Sequence, residues 1–153
     1  MHFQAVWPGR IKNAHLQALA SDYLERLRHF VRFEVIEVRD AGNIETKAGI
    51  ELESKRISDR LRPGDYWVLL DSEGTQWSSW ELAEQVKRWE NKGVKEVVFI
   101  VGGAGGVSPD LRRKVGHHWS LSRLTFTHEM ARVVLLEQLY RAYTIVRGLP
   151  YQK

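Results

Sequence analysis

The chain has 153 residues, 43% of them apolar and 27% charged, with 23 Lys and Arg against 19 Asp and Glu. That length and balance describe one folded domain, residues 1–153, with a real hydrophobic core, of ordinary globular composition. With no cysteine, no apolar run of membrane-spanning length and no signal-like core in residues 1–10, disulfides, thiol nucleophiles, thiolate metal sites and membrane insertion are excluded and a cytoplasmic location is expected.

The pattern then alternates between strand and helix. Phe3–Trp7 reads as a short strand ended by Pro8-Gly9. Leu16, Leu19, Ala20, Tyr23, Leu24 and Leu27 recur at helical spacing within residues 11–30. Phe33–Val38 predicts strand two, Asp40–Asn43 a turn, and residues 45–61 a charged helix stopped by Pro63-Gly64. Tyr66–Leu70 predicts strand three, closing on Asp71. Ser78-Ser79-Trp80-Glu81 fits a capping box, opening a helix that ends near Asn91 and Gly93.

Val97–Val101 is continuously apolar, as a parallel strand buried on both faces should be. It ends in Gly102, Gly103, Gly105 and Gly106, followed by Ser108 as N-cap and Pro109 as first helical residue. Glycines there permit close backbone approach and positive φ, so the stretch is either a tight structural turn or a ligand-binding edge. No Gly-Lys-Ser/Thr follows, and Ser108 stands where a third Rossmann glycine belongs, so neither standard phosphate fingerprint is present. Residues 109–115 predict a short helix, 119–124 a fifth strand and 128–146 a long helix. That last helix is apolar around well over half its circumference, from Met130 and Val133 to Tyr143 and Val146. Two buried faces imply either a second subunit or a central position within the chain.

The series GGAGGVSP, then WSLSRLTFTH at 119–128, then MARVVLLEQLYRAYTI at 130–145 and Pro150-Tyr151 closely resembles the RlmH (YbeA-type) family of SPOUT-class methyltransferases. The resemblance spans essentially the whole chain and is dense from Val97 to Tyr151. It implies an α/β knot: a mainly parallel sheet of five to six strands, helices on both faces, and a C-terminal trefoil knot over about residues 97–147, which periodicity alone cannot reveal. It implies S-adenosyl-L-methionine as methyl donor, held by Leu70, by Gly102 and Gly103, and by Leu121, Ser122, Arg123, Leu124, Thr125 and Phe126. It implies a homodimer, N3 of a pseudouridine in 23S rRNA of the assembled ribosome as the methylated atom, and no metal.

Ring N3 carries a proton and attacks poorly until the proton is lost, so the site must favour the anion. The candidates are His128, Arg132, Arg141 and Tyr151. His128 serves either as a base or as a helix cap. Arg132 and Arg141 either meet phosphate and the anion, or pair with Glu137 or a partner chain's carboxylate. Arg10, Lys12, Arg112, Arg113, Lys114 and Lys153 are candidates for RNA contact; net charge +4 permits that partner without demanding it. The chain departs from the family at Gln152, where a tail histidine is common, and in its GGAGG loop and the Val6–Arg10 turn. A non-catalytic ribosome-binding or assembly factor of the same fold, and a flavodoxin-like nucleotide enzyme, are the competing classes.

Overall fold

In the computed structural model, which describes residues 1–42 and 46–151, strands and helices alternate from end to end. The order is β1 (His2–Pro8), α1 (Ala14–Leu27), β2 (Arg32–Val38), α2 (Lys47–Ser58), β3 (Tyr66–Gln76), α3 (Ser79–Asn91), β4 (Glu96–Ile100), α4 (Pro109–Lys114), β5 (His117–Ser120) and α5 (His128–Val146). Asn43 of the expected turn, the expected helix start at Glu45, and Gln152 and Lys153 lie outside the described residues. Among those described, five strands form one sheet in the order β2-β1-β4-β3-β5, and every pairing is parallel.

The sheet is covered on both sides, which is why β4 reads as an unbroken apolar run. Val97, Phe99 and Val101 face one core with α1, α3 and α5. Val98 and Ile100 face the other with Ile57 of α2 and Leu111 of α4. Caps set the helix starts: Asn13, Thr46, Ser78, Ser108 and Thr127 each accept a backbone N–H of the first turn, and Ser78 with Glu81 completes the capping box.

Two expectations change. Strand three does not close at Asp71 but runs to Gln76, because residues 71–74 loop out and both Leu70 and Thr75 pair with Trp119. The fifth strand is His117–Ser120 rather than 119–124, since β3 ends opposite Ser120 at Gln76. Beyond it Ser122 Oγ accepts the Leu124 N–H at 3.0 Å and turns the chain. The apolar surplus of α5 is largely accounted for inside the chain: its buried side chains join the sheet, α1 and α3 in one core. Phe30, just past α1, stacks on Tyr143 at 5.7 Å, and Val133 is 6% exposed. A central position thus covers most of the surplus, while Met130, 39% exposed, and the half-buried Val134, Tyr140, Ile145 and Val146 leave apolar side chains of α5 partly uncovered.

The connections also create a switch point. From β1 the chain passes through α1 to β2 on one side. From β4 it passes through α4, on the opposite face, to β5 on the other side. Adjacent strands β1 and β4 thus part at their carboxyl ends, where such sheets open a crevice.

Candidate active site

Three loops meet above the carboxyl ends of β4, β3 and β5. They enclose a cleft of about 250 Å³ whose lining includes Leu70, Gly102, Gly103, Leu121, Ser122, Leu124, Thr125 and Phe126. Arg123 belongs to the same loop but is exposed and does not line the cleft. Leucine and phenylalanine walls with loop backbone between them suit a nucleoside-like ligand, whose ring needs apolar cover and whose edges need hydrogen bonds. Leu124 is 75% exposed, an apolar side chain left at the rim.

The glycine loop owes its shape to close approach more than to positive φ. Gly106 donates to the Gly103 carbonyl at 2.9 Å, and of the loop's glycines Gly106 alone, at φ 81°, is in the left-handed region. A Cβ on Gly102 would lie 2.9 Å from the Gly106 carbonyl carbon. A Cβ on Gly103 would lie 2.8 Å from Glu53 Oε1 and 3.1 Å from Pro8 Cγ. The loop's exit is tied to α2, where the Ser108 N–H donates to Ser54 Oγ at 2.8 Å.

The looped-out turn of β3 is anchored by Asp71 and His118, which sequence reading did not single out as site residues, and by Arg112, which it offered only for RNA contact. Asp71 Oδ1 accepts the Glu73 N–H at 3.0 Å, and Oδ2 lies 2.8 Å from both His118 Nδ1 and the Arg112 guanidinium. His118 Nε2 stands 2.7 Å from the Val115 carbonyl, joining the turn to the end of α4. Burial alone would raise the Asp71 carboxyl, but the Glu73 N–H, His118 and Arg112 outweigh it and hold it below the usual range. A Cβ on Gly74 would lie 2.6 Å from the His118 backbone, so glycine is required there. The one signal in the sequence was Asp71-Ser72-Glu73-Gly74 itself, a turn composition inside a strand.

The four expected catalytic side chains do not assemble in one chain. His128 is the first residue of α5, after the cap Thr127, and lines the cleft. Arg132, one turn on, is fully buried. It donates to the Pro8 carbonyl at 2.7 Å and the Gly9 carbonyl at 3.0 Å and lies 5.0 Å from the Trp7 ring centre. Burial lowers its pKa to about 10, against the pull of Glu129, Glu37, Glu53 and Asp40, so it stays charged at neutral pH. It holds the end of β1 and does not line the cleft. Arg141 and Tyr151 sit at the far end of α5, roughly 20 Å along the helix from His128 at about 1.5 Å per residue. There Arg141 donates to Glu137 Oε1 at 2.6 Å and Tyr151 donates to the same oxygen at 2.9 Å. Burial, then hydrogen bonds with Tyr23 and Glu137, raises the Tyr151 hydroxyl pKa.

Of the cations expected to meet RNA, Arg112 pairs with Asp71 and Glu73, Arg113 with Asp110, and Lys114 donates to Ser58. Arg10 and Lys12 are exposed and line a second cleft, of about 330 Å³, beside the first. Among the described residues no helix is long and apolar enough to cross a membrane.

A parallel α/β sheet with three loops around a cleft at its carboxyl edge has the geometry that suits a nucleotide-like ligand. The sequence profile described as "Predicted SPOUT methyltransferase" matches residues 1–152, and the chain belongs to that family of methyltransferases. It is 46% identical over 151 residues, covering 99% of this chain and 98% of the other, to "Ribosomal RNA large subunit methyltransferase H" of Gloeobacter violaceus. Proteins of the same name from Pelotomaculum thermopropionicum and Flavobacterium psychrophilum are 38% and 34% identical, each aligned over 98% of its own length. Among solved structures, a probable methylase family protein from Haemophilus influenzae superposes with a TM-score of 0.53 at 12% identity, covering 99% of this chain and 70% of that one. That likeness concerns the fold alone.

Proposed function

We propose that this chain, as a single domain, transfers a methyl group from S-adenosyl-L-methionine to N3 of a pseudouridine in 23S rRNA of the assembled ribosome, as a cytoplasmic homodimer. The observation that carries the reading is the three-loop cleft, which gathers Leu70, the glycine loop and residues 121–126 around one space. Its apolar walls would hold the adenosyl part of the donor and its backbone groups the polar edges. The bound donor supplies an electrophilic methyl group, and the protein's task is in-line placement and stabilisation of the nitrogen anion. Full-length similarity to proteins named as large-subunit rRNA methyltransferases supports the RNA substrate.

Distance supports the dimer in this reading. Arg141 and Tyr151 are too far along α5 to act on their own chain's cleft, so in this reading they serve the partner's. Co-expressing two inactive variants tests it: Gly102→Val spoils the cleft and Arg141→Ala spoils the reaching arm. The mixed dimer retains one complete site, so methyl transfer to ribosomes should return to between a tenth and a half of the wild-type rate. A mixture as inactive as either variant alone would mean that each site is built from one chain, and a chain that sediments as a monomer would remove the dimer altogether.

A further inference from the structure

The second cleft contains a group that the donor site leaves unused. It lies where β1 and β4 part, is lined by Pro8, Arg10, Lys12, Asp40, Glu53 and Glu129 among others, and shares Gly103, Ala104 and His128 with the donor cleft. A ligand on one side of that shared wall is therefore next to a ligand on the other. Glu53 stands at the wall. Its Oε2 is fixed by the Ala41 N–H at 3.0 Å. Its Oε1 leans over the glycine loop, 2.8 Å from where a Gly103 Cβ would be, and among the described residues it receives no hydrogen bond. α2 holds this carboxylate in place through the neighbouring Ser54, which accepts the Ser108 N–H.

We propose that the second cleft receives the acceptor base and that Glu53 is the proton acceptor of the methyl transfer. The inference rests on the methyltransferase reading above. A ring N–H flanked by carbonyls needs an acceptor for its proton, and a carboxylate aimed at the wall between the two clefts supplies one. As the N–CH₃ bond forms and the S–CH₃ bond breaks, the sulfonium becomes a neutral thioether. The N–H electron pair stays with nitrogen, and the proton passes to Glu53 Oε1. Arg10 and Lys12, exposed at the mouth, are placed for the flanking phosphates. The charged and titratable groups facing Glu53 are Asp40 after β2, Arg10 and Lys12 after β1, and His128, Glu129 and Arg132 on α5.

The test is Glu53→Gln, which keeps the shape and can still accept the Ala41 N–H. Donor affinity by calorimetry should stay within threefold of wild type, while single-turnover methylation of ribosomes falls at least 100-fold. The variant's rate should climb about tenfold per pH unit from pH 7 to 9, as solvent takes over the proton, while the wild-type rate changes little. Glu53→Asp, retaining a carboxylate, should recover part of the loss and guards against a folding defect. A wild-type-like rate for Glu53→Gln, or an equal loss in Glu53→Asp and Glu53→Gln with no difference in pH slope, would overturn the assignment while leaving the methyltransferase reading intact. A wild-type protein that binds donor but methylates no RNA would overturn both.

Discussion

Arg132→Ala should lower folding stability by about 3–5 kcal/mol, read as a fall in the denaturation midpoint in urea. The guanidinium is wholly buried and bridges the Pro8 and Gly9 carbonyls at 2.7 and 3.0 Å. Removing it leaves those acceptors without that donor, costing about 1–3 kcal/mol for each that is buried, and opens a cavity beside Trp7. It also removes the positive charge that Glu129, Glu37, Glu53 and Asp40 surround. Arg132→Lys should recover only part, because an ammonium cannot span two carbonyls as the planar fork does. A loss under 1 kcal/mol for the alanine variant would contradict the structural role assigned to this arginine.

Gly102→Val should weaken S-adenosyl-L-methionine binding at least 100-fold while leaving the helical circular dichroism and the bulk of stability in place. Even the first atom of the new side chain would lie 2.9 Å from the Gly106 carbonyl carbon and 3.1 Å from its Cα, distances that backbone does not tolerate. The loop must therefore swing open, and its Val101, Gly102, Gly103, Ala104 and Gly106 line the cleft. The sheet beneath is held by both cores and has no need of the loop's fold. Calorimetry showing unchanged donor affinity in a folded variant would remove the glycine loop from the donor site.

Much of this was legible in the sequence because local physics wrote it there. The bounds of α5, the Ser78–Glu81 capping box and the Ser108 cap follow from side chains that satisfy nearby backbone groups. One wall of the first cleft was legible as a glycine run after a buried strand, though its glycines serve close packing more than positive φ. The end of β5 was not legible, because residues 121–124 continue the expected strand 119–124 and what stops it is the end of the neighbouring β3, with the turn at Ser122. Arg132 was read as a contact for phosphate or the anion, or as a partner of Glu137 or a partner chain's carboxylate, since nothing local says that its head meets the carbonyls of Pro8 and Gly9, more than a hundred positions away. Glu53 was invisible for the same reason: it is one acid in a charged helix until the fold sets it against Gly103.

Mass spectrometry of 23S rRNA tests the central claim most directly. Ribosomes from cells lacking this gene are incubated with the purified protein and methyl-labelled S-adenosyl-L-methionine, and the large-subunit RNA is digested to nucleosides. One new methyl group per particle is expected, on ring N3 of a pseudouridine in 23S rRNA, absent when either the donor or the protein is left out. No label in that RNA, from a protein shown by calorimetry to bind the donor, would contradict that claim.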